Sequence, residues 1–227
     1  MYFADKISTA EFKKYSKSNL PMKYINNDIS EFRILGDNDK VRKYNEEMFE
    51  KFMDYYNNVE YRLKEGKGLI ICGSVGIAKT WAMTCLAKKI IEIFDKENGK
   101  MQEANLDYEA YKNSLYYIQA TTISQMVFPT GLNDKELKAR RGIKSIACLW
   151  IDDISKMAET KSGHEISFID DILRWRDLNC LTTLYTSQLP FDSIKGFEGL
   201  DQALSKPIHD MIRGNCEVIT FRGTSQR

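Results

Sequence analysis

The stretch GLIICGSVGIAKTW, residues Gly68–Trp81, decides the fold class. An apolar run ends at a glycine, and the eight residues that begin with this glycine, Gly73–Thr80, follow the phosphate-binding pattern G-x-x-x-x-G-K-[ST]. The match has one exception, because Ala78 stands at the last glycine position. Helical spacing then continues from Lys79 to about Phe94. A strand, a glycine-rich loop and a helix in this order supply the backbone N–H groups and the helix N-terminus that bind phosphate.

We predict that the exceptional alanine leaves this loop intact. Ala78 stands immediately before the helix, where a negative φ angle is normal and a methyl group is tolerated. Lys79 is expected to reach the outer phosphates, and the Thr80 hydroxyl is expected to help hold Mg²⁺. The predicted nucleotide-binding residues are therefore Gly73, Ser74, Val75, Gly76, Ile77, Ala78, Lys79, Thr80 and Trp81.

A second motif, IACLWIDDIS at residues 146–155, ends an apolar strand in two acids. Asp152 is predicted to lie near Mg²⁺, and Asp153 is predicted to polarise the water that attacks the γ-phosphate. Ligands of open parallel sheets bind beyond the carboxyl ends of the strands, which is where this motif and the loop both point. A solvated acidic turn is the alternative, and the loop upstream makes it the weaker one.

The following strand ends in LYTSQLP, which places Gln188 at the same edge of the predicted sheet. Its amide is a candidate for a hydrogen bond to the γ-phosphate or to the attacking water. A polar strand cap with no catalytic role is the alternative.

Short apolar runs alternate with helical patterns along the chain, which predicts an α/β protein with a parallel sheet covered on both faces. The predicted strands are residues 69–72, 115–120, 145–151, 181–187 and 216–221. Predicted helices cover residues 8–18, 41–55, 79–94 and 165–178, and residues 96–114 are expected to form an exposed excursion. We divide the chain into a short helical N-terminal segment, residues 1–39, and an ATPase domain, residues 40–227.

The bulk composition excludes several classes of protein. The 227 residues carry a net charge of +1, which argues against attachment to nucleic acid by overall charge. No signal-peptide core and no apolar run of about 18 residues is present, so we expect a soluble, cytoplasmic protein with no membrane partner. The cysteines form no C-x-x-C pair, which favours buried reduced thiols over a zinc site. They are Cys72, Cys85, Cys148, Cys180 and Cys216.

Four stretches together resemble the AAA+ ATPases, and within them the DnaC-type helicase loaders and the IstB-type transposition helper ATPases. They are GSVGIAKTWAMTCLAKKI, SIACLWIDDIS, ILRWRDLNCLTTLYTSQLP and the tail RGNCEVITFRGTSQR. The resemblance runs from about Leu20 to the C-terminus. It implies a P-loop NTPase (AAA+) core with a central parallel five-stranded sheet flanked by helices, and no C-terminal lid domain after Phe221.

The resemblance also implies roles for single residues, with ATP and Mg²⁺ as cofactors. Asp153 would be the catalytic base, where many AAA+ members have glutamate. Gln188 would be the γ-phosphate sensor, where the family usually has asparagine. An arginine that acts on the nucleotide of a neighbouring subunit normally precedes the last strand, and Arg213 is the candidate there.

Several residues are candidates for stacking or charge contacts with single-stranded DNA. A basic run at 134–144 has a solvated helix face as its alternative, and its members are Lys135, Lys138, Arg140, Arg141 and Lys144. Arg176, at the end of the same helix as Arg174, matches an arginine often present in loaders. A surface ion pair with Asp170 or Asp177 is equally compatible with the pattern. For the aromatic candidates core packing is the alternative, and these are Tyr116, Tyr117 and Phe128.

The leading interpretation is an AAA+ ATPase that delivers a replicative DNA helicase to single-stranded DNA and self-associates through its ATPase domain. Residues 1–39 are the candidate helicase-binding region. The resemblance to loaders, together with the expected absence of a lid domain, suits a protein encoded by a phage or a mobile element. Two alternatives stay open. One is an IstB-type ATPase that helps a transposase on duplex DNA, and the other is an adaptor that uses nucleotide as a structural clamp without hydrolysis.

Overall fold

Five parallel strands form one sheet at the centre of the molecule. The computed structural model describes residues 8–34, 36–103, 114–126, 142–159, 163–194 and 196–223. The strands are β1 Gly68–Cys72, β2 Leu115–Gln119, β3 Cys148–Asp152, β4 Thr182–Ser187 and β5 Cys216–Thr220. Their order across the sheet is β2-β3-β4-β1-β5, and every neighbouring pair is parallel. The predicted parallel five-stranded sheet is therefore confirmed.

Helices precede, connect and cover these strands. In chain order the α-helices of the described residues are α1 Thr9–Lys17, α2 Asp39–Asn57, α3 Val59–Lys64, α4 Lys79–Glu103, α5 Ala120–Gln125, α6 Gly163–Leu178, α7 Leu200–Ala203 and α8 Lys206–Asn215. Short 3₁₀ turns occupy Met22–Tyr24, Ile29–Glu31 and Ile154–Glu159. Strands that alternate with helices place helices on both faces of the sheet, as the sequence predicted.

The two faces of the sheet bury separate apolar cores. Side chains of a strand alternate between the faces, so Leu69 and Ile71 join one core whereas Ile70 and Cys72 join the other. The first core contains side chains of α2 and α4, and the second contains side chains of α6 and α8. Both faces of β1 are fully buried. This burial explains why the strand sequence is a continuous apolar run.

The N-terminal segment is part of the first core. Tyr15, Leu20 and Ile25 are buried there beside residues of α2 and α4. The segment also covers the free edge of β2, because the backbone N–H of Tyr117 donates to the carbonyl of Ser18 over 2.9 Å. An uncovered edge strand is a template for unwanted pairing, so this contact protects the sheet.

Two element boundaries differ from the sequence prediction by three residues or more. Helix α4 continues to Glu103, so the expected excursion from residue 96 is wrong for its first part; residues 104–113 lie outside the described residues. The polar residues there are mostly good helix formers, and extending an existing helix is much easier than starting one. Strand β3 begins at Cys148 rather than at residue 145, because the chain just before it forms a turn.

Arg176 of α6 holds that turn in place. Its side chain is 1% exposed. The guanidinium donates to the carbonyls of Ile143 over 3.0 Å and Ile146 over 2.7 Å, and to the Thr183 hydroxyl over 2.9 Å. It also donates to the carbonyl of Thr182. The surface ion pair considered from the sequence is not formed, and burial lowers the pKa of Arg176 to about 10. The arginine therefore joins α6 and β4 to the chain that enters β3.

Replacing this arginine should be costly. We expect Arg176→Met to lower the free energy of unfolding by about 3 kcal/mol, because several buried carbonyl groups lose their donors. Arg174→Ala is the matched control. Arg174 lies two residues before Arg176 on the same helix and forms an exposed pair with Asp170, so this substitution should cost less than about 0.5 kcal/mol of stability. Urea unfolding measures both. Equal stability losses in the two variants would contradict this account.

Candidate functional site: a phosphate-binding loop and an acidic strand end

The loop between β1 and α4 is held by backbone contacts on both sides. The N–H of Gly73 donates to the carbonyl of Ser187 at the end of β4 over 3.1 Å. Gly73 has φ 144°, and a Cβ at this position would lie 2.6 Å from the carbonyl oxygen of Phe221. Gly76 also has a positive φ, at 88°. The first glycine of the pattern is therefore required by both its conformation and its surroundings.

Ala78 corrects one expectation about this loop. Its φ is 56°, in the left-handed region, rather than negative. An L-residue other than glycine reaches this conformation at a cost of about 1–2 kcal/mol. The usual glycine therefore has a conformational reason at this position, and here the alanine is held in a strained conformation where the loop enters α4.

Lys79, the first residue of α4, folds back over the loop. It is 8% exposed, and its ammonium group donates to the carbonyls of Gly73 over 2.6 Å and Ser74 over 2.8 Å. Burial lowers the pKa of Lys79, while the nearby Asp153 and Asp152 act in the opposite direction. A partly desolvated ammonium group at a helix N-terminus, beside a glycine-rich loop, is suited to bind a phosphate group.

Asp152 ends β3 and lies among hydroxyl groups from three other elements. Its Oδ1 accepts a hydrogen bond from the Thr186 hydroxyl of β4 and lies 3.5 Å from the Thr80 hydroxyl oxygen of α4. Its Oδ2 accepts from the Tyr117 hydroxyl of β2 over 3.0 Å. Burial raises the pKa of Asp152, and the bonds from Thr186 and Tyr117 act against that shift.

Oxygen ligands of this kind fit a magnesium ion. Mg²⁺ bound with a nucleotide is typically held by one or two carboxylates together with phosphate oxygens. Asp152 at the end of β3 and the hydroxyl of Thr80 in α4 lie 3.5 Å apart, so the residues that the sequence named for metal binding are adjacent in space. The Thr186 hydroxyl and the Tyr117 hydroxyl orient the carboxylate, as outer partners of metal ligands commonly do.

Asp153 stands in the turn after β3 with φ 57°, a conformation that aspartate tolerates better than most residues. Its backbone N–H donates to the Thr186 hydroxyl over 2.9 Å. Its carboxylate accepts from the Ser155 hydroxyl over 2.6 Å and from the side-chain amide of Gln188. The two residues predicted to act on the attacking water are thus bonded to each other.

These groups surround one cavity of about 560 Å³. That volume is within the range of small-molecule sites, roughly 300–1,000 Å³. Predicted residues that line it are Val75, Gly76, Ala78, Lys79, Thr80, Trp81, Asp152, Asp153 and Gln188. Predicted residues beside the cavity but not in its lining are Gly73, Ser74 and Ile77. Ile77 packs against the core, and the Ser74 hydroxyl donates to the carbonyl of Gly223 over 2.6 Å.

Arg213 lies elsewhere. It is on α8, where it pairs with Asp192 and lies over the Phe191 ring at 5.1 Å from its centroid. It does not line the cavity of its own chain.

The candidates for DNA contact are divided by the structure. Lys144 pairs with Asp171 and Arg174 with Asp170, so both are engaged in surface ion pairs. Tyr117 is buried and bonded to Asp152, which favours the structural alternative for this residue. The remaining basic residues of the run and one aromatic candidate lie outside the described residues, and they are Lys135, Lys138, Arg140, Arg141 and Phe128.

Thiol burial follows the sequence prediction for most of the cysteines. Burial raises the pKa of Cys72 and Cys148 to about 12. The expectation of a buried thiol is wrong for Cys180, which is exposed in the turn after α6, where its φ is 51°.

Within the described ranges, no group of three or more His, Cys, Asp or Glu side chains is arranged to hold a metal ion. Nor does any helix there have the length and apolar character that crossing a bilayer requires.

Sequence reasoning missed three residues of the cavity wall: Lys23, Tyr24 and Asn27. They precede the loop by about fifty positions and belong to no recognisable motif. The sequence placed Thr186 at the same edge of the sheet as the acids but gave it no role there. Tyr117 was a candidate only for stacking on bases, and no local pattern indicated its bond to Asp152.

The strained alanine gives a direct test. We expect Ala78→Gly to raise the free energy of unfolding by about 0.5–1 kcal/mol, because relief of the left-handed strain exceeds the entropy cost of glycine. Ala82→Gly, one turn further along α4, is the matched control and should lower it by about 1 kcal/mol or more. Urea unfolding compares the two, and a stability loss in both would contradict the strain at residue 78.

No protein-family model and no curated protein sequence matches the chain. Solved structures do match it. A structure of DnaI aligns with 88% of this chain and 94% of its own, at a TM-score of 0.56 and 18% identity. A structure of a DnaC helicase loader aligns with 88% of this chain and 98% of its own chain, at a TM-score of 0.60 and 19% sequence identity. A structure of the replication initiator DnaA, bound to AMPPCP and single-stranded DNA, aligns with 90% of this chain and 51% of its own chain. Its TM-score is 0.52 and its sequence identity is 15%. The chain has the P-loop AAA+ fold of the DnaC and DnaA structures.

Proposed function

We propose that the chain is a Mg²⁺-dependent AAA+ ATPase that loads a replicative DNA helicase onto single-stranded DNA. The observation that carries the ATPase is the convergence of Lys79, Thr80, Asp152, Asp153 and Gln188 around one cavity at the carboxyl ends of the strands. The likeness of the whole fold to DnaI and DnaC supports the loader, since the second of these structures is of a helicase loader.

Phosphate binding falls to the loop and the first turn of α4. The backbone N–H groups of the loop and the positive end of the helix favour an anion. Lys79 then exchanges its bonds to the Gly73 and Ser74 carbonyls for bonds to the outer phosphate oxygens, which bear a full charge. Trp81 completes this side of the cavity and stacks on Phe32, with 5.3 Å between the ring centroids.

Thr80 and Asp152 would hold Mg²⁺, which in such sites neutralises the charge that develops on the phosphate oxygens. The carboxylate of Asp152 must be ionised to bind the ion. Its bonds from Thr186 and Tyr117 favour that form against the effect of burial.

Hydrolysis would depend on Asp153 and Gln188. Asp153 would orient the attacking water and accept its proton, and Gln188 would contact the γ-phosphate. The amide of Gln188 and the hydroxyl of Ser155 both donate to the Asp153 carboxylate, so an attacking water would compete with them for that carboxylate's remaining acceptor sites. This arrangement supports slow basal turnover that a partner accelerates by moving Gln188.

The same bond keeps one alternative in view. If Gln188 keeps the Asp153 carboxylate from orienting the attacking water, the chain is the nucleotide-clamped adaptor rather than an ATPase. Arg213 would act, if at all, on the cavity of a second copy, and its bond to Asp192 would have to open first. An IstB-type role on duplex DNA has no separate structural support.

Two substitutions separate binding from turnover. We expect Lys79→Ala to weaken Mg²⁺–ATP binding at least about 100-fold, or about 2.7 kcal/mol, because the buried cation contacts the outer phosphates. Asp153→Asn should bind ATP with nearly normal affinity and lose about 100-fold in kcat, since asparagine tolerates the positive φ of residue 153. Titration with a fluorescent ATP analogue and phosphate release measure these effects.

Lys64→Ala is the control for the loss of a lysine. Lys64 forms an exposed pair with Glu60 on α3, which precedes the amino end of β1, whereas the loop follows the carboxyl end of that strand. Unchanged ATP affinity in the Lys79 variant would remove the basis of the proposed site. Tight ATP binding by the wild type without turnover stimulated by single-stranded DNA would favour the adaptor.

The loader itself is tested with the replicative helicase of the same host. We expect the full chain with ATP to place that helicase on a closed single-stranded DNA circle, so that an annealed oligonucleotide is displaced. Lys79→Ala should abolish the displacement because it removes nucleotide binding. Absence of any complex with the helicase, together with filaments on duplex DNA, would replace the loader with the IstB-type helper.

A further inference from the structure

A stretch of the N-terminal segment forms one wall of the nucleotide cavity. Lys23, Tyr24 and Asn27 line the same cavity as Lys79, Asp152 and the other residues of the rim. No part of the phosphate-binding pattern or the acidic motif includes these three. They come to the site through the packing of the N-terminal segment on the sheet.

Helix α4 fixes this wall. The ammonium group of Lys88 donates to the carbonyls of Ile25 over 3.0 Å and Asn27 over 2.8 Å. The thiol of Cys85 lies 3.6 Å from the same Asn27 carbonyl, and Ile25 is 1% exposed in the core. Because α4 begins with Lys79 and Thr80, the wall and the phosphate-binding loop are attached to one helix.

A second attachment joins the segment to the metal-binding side of the site. Ser18 accepts a bond from the backbone N–H of Tyr117, and the Asn19 side chain donates to the carbonyl of Tyr117 over 3.1 Å. The hydroxyl of Tyr117 is the donor to Asp152. The segment is therefore attached to the strand whose tyrosine holds Asp152, and its wall lines the cavity together with both acids and Gln188. Residues around Phe32 and Gly36 border a different, smaller cavity beside Phe221.

Lys23 is placed to use its charge in this cavity. It is exposed to solvent, and its ammonium group lies 5.4 Å from the centroid of the Tyr24 ring. It forms no ion pair within the part of the chain that the structure describes. The other charged side chains in the lining are Lys79, Asp152 and Asp153. With Lys23, the two carboxylates of the lining are matched by two ammonium groups even before the charge of Mg²⁺ is added.

We propose that Lys23 contacts the outermost phosphate of bound ATP and so makes the N-terminal segment the part of the chain that distinguishes ATP from ADP. This inference rests on the proposed ATPase function. The contact comes from the same chain, in contrast to an arginine supplied by a neighbouring subunit. Its source is the segment that is also the candidate for helicase binding, so the nucleotide and the helicase would both act on residues 8–34.

The test compares affinities for AMPPCP and ADP, each with Mg²⁺, in the full chain. We expect Lys23→Ala to weaken AMPPCP binding about tenfold, in the range of one charge-assisted hydrogen bond, and to change ADP binding less than about twofold. Lys23→Arg should keep most of the preference for the triphosphate because it keeps the charge. Lys17→Ala, an exposed lysine of the same segment that does not line the cavity, is the control and should change neither affinity.

The outcomes separate the two levels of the proposal. Equal affinities of wild type and Lys23→Ala for AMPPCP, with Lys79→Ala still defective, would overturn the role of Lys23 and leave the ATP site standing. Equal losses for AMPPCP and ADP would also overturn it, because the contact would then not be to the outermost phosphate. Failure of the wild type to bind either nucleotide would overturn both. Because Lys23 is exposed, thermal unfolding of its variants should match the wild type.

Discussion

The parallel register of β1, β3 and β4 is the constraint on which the site depends. Cys72 pairs with Ser187 and Ile151 with Tyr185, so the carboxyl ends of the three strands lie at one rim. At that rim the Thr186 hydroxyl reaches Asp152. A slip of one residue in β3 would turn the Asp152 side chain to the opposite face of the sheet. The packed apolar faces of these strands fix the register, and so they also fix the geometry of the candidate site.

Two charges are held in this rim against the effect of burial. Burial lowers the pKa of Lys79 and raises the pKa of Asp152, so each charged form is disfavoured in the folded protein. Carbonyl oxygens of the loop and hydroxyl groups of two strands offset part of that penalty. Perturbed groups of opposite charge that face one cavity are typical of a functional site, because a bound ligand supplies the interactions that the isolated protein lacks.

The N-terminal segment is joined to the five-stranded core by structure as well as by sequence. It completes the first apolar core, covers the free edge of β2 and forms one wall of the cavity. A region that precedes the strand and helix pattern in the sequence therefore lines the candidate site. The physical reason is that β2 is an edge strand. The segment that covers this edge continues to the carboxyl ends of the strands, where it lines the cavity.

The sequence by itself determined the α/β class, the five strands, the loop from Gly73 to Thr80 and the acids Asp152 and Asp153. These features are encoded by residues next to one another, since strand burial, helix periodicity and loop composition are local patterns. Only the tertiary structure decided the positive φ of Ala78 and the burial of Arg176 against carbonyl groups. It also decided the bond of Tyr117 to Asp152 and the place of Lys23 in the cavity wall, because contacts between distant residues follow from strand order and packing, which no local pattern records.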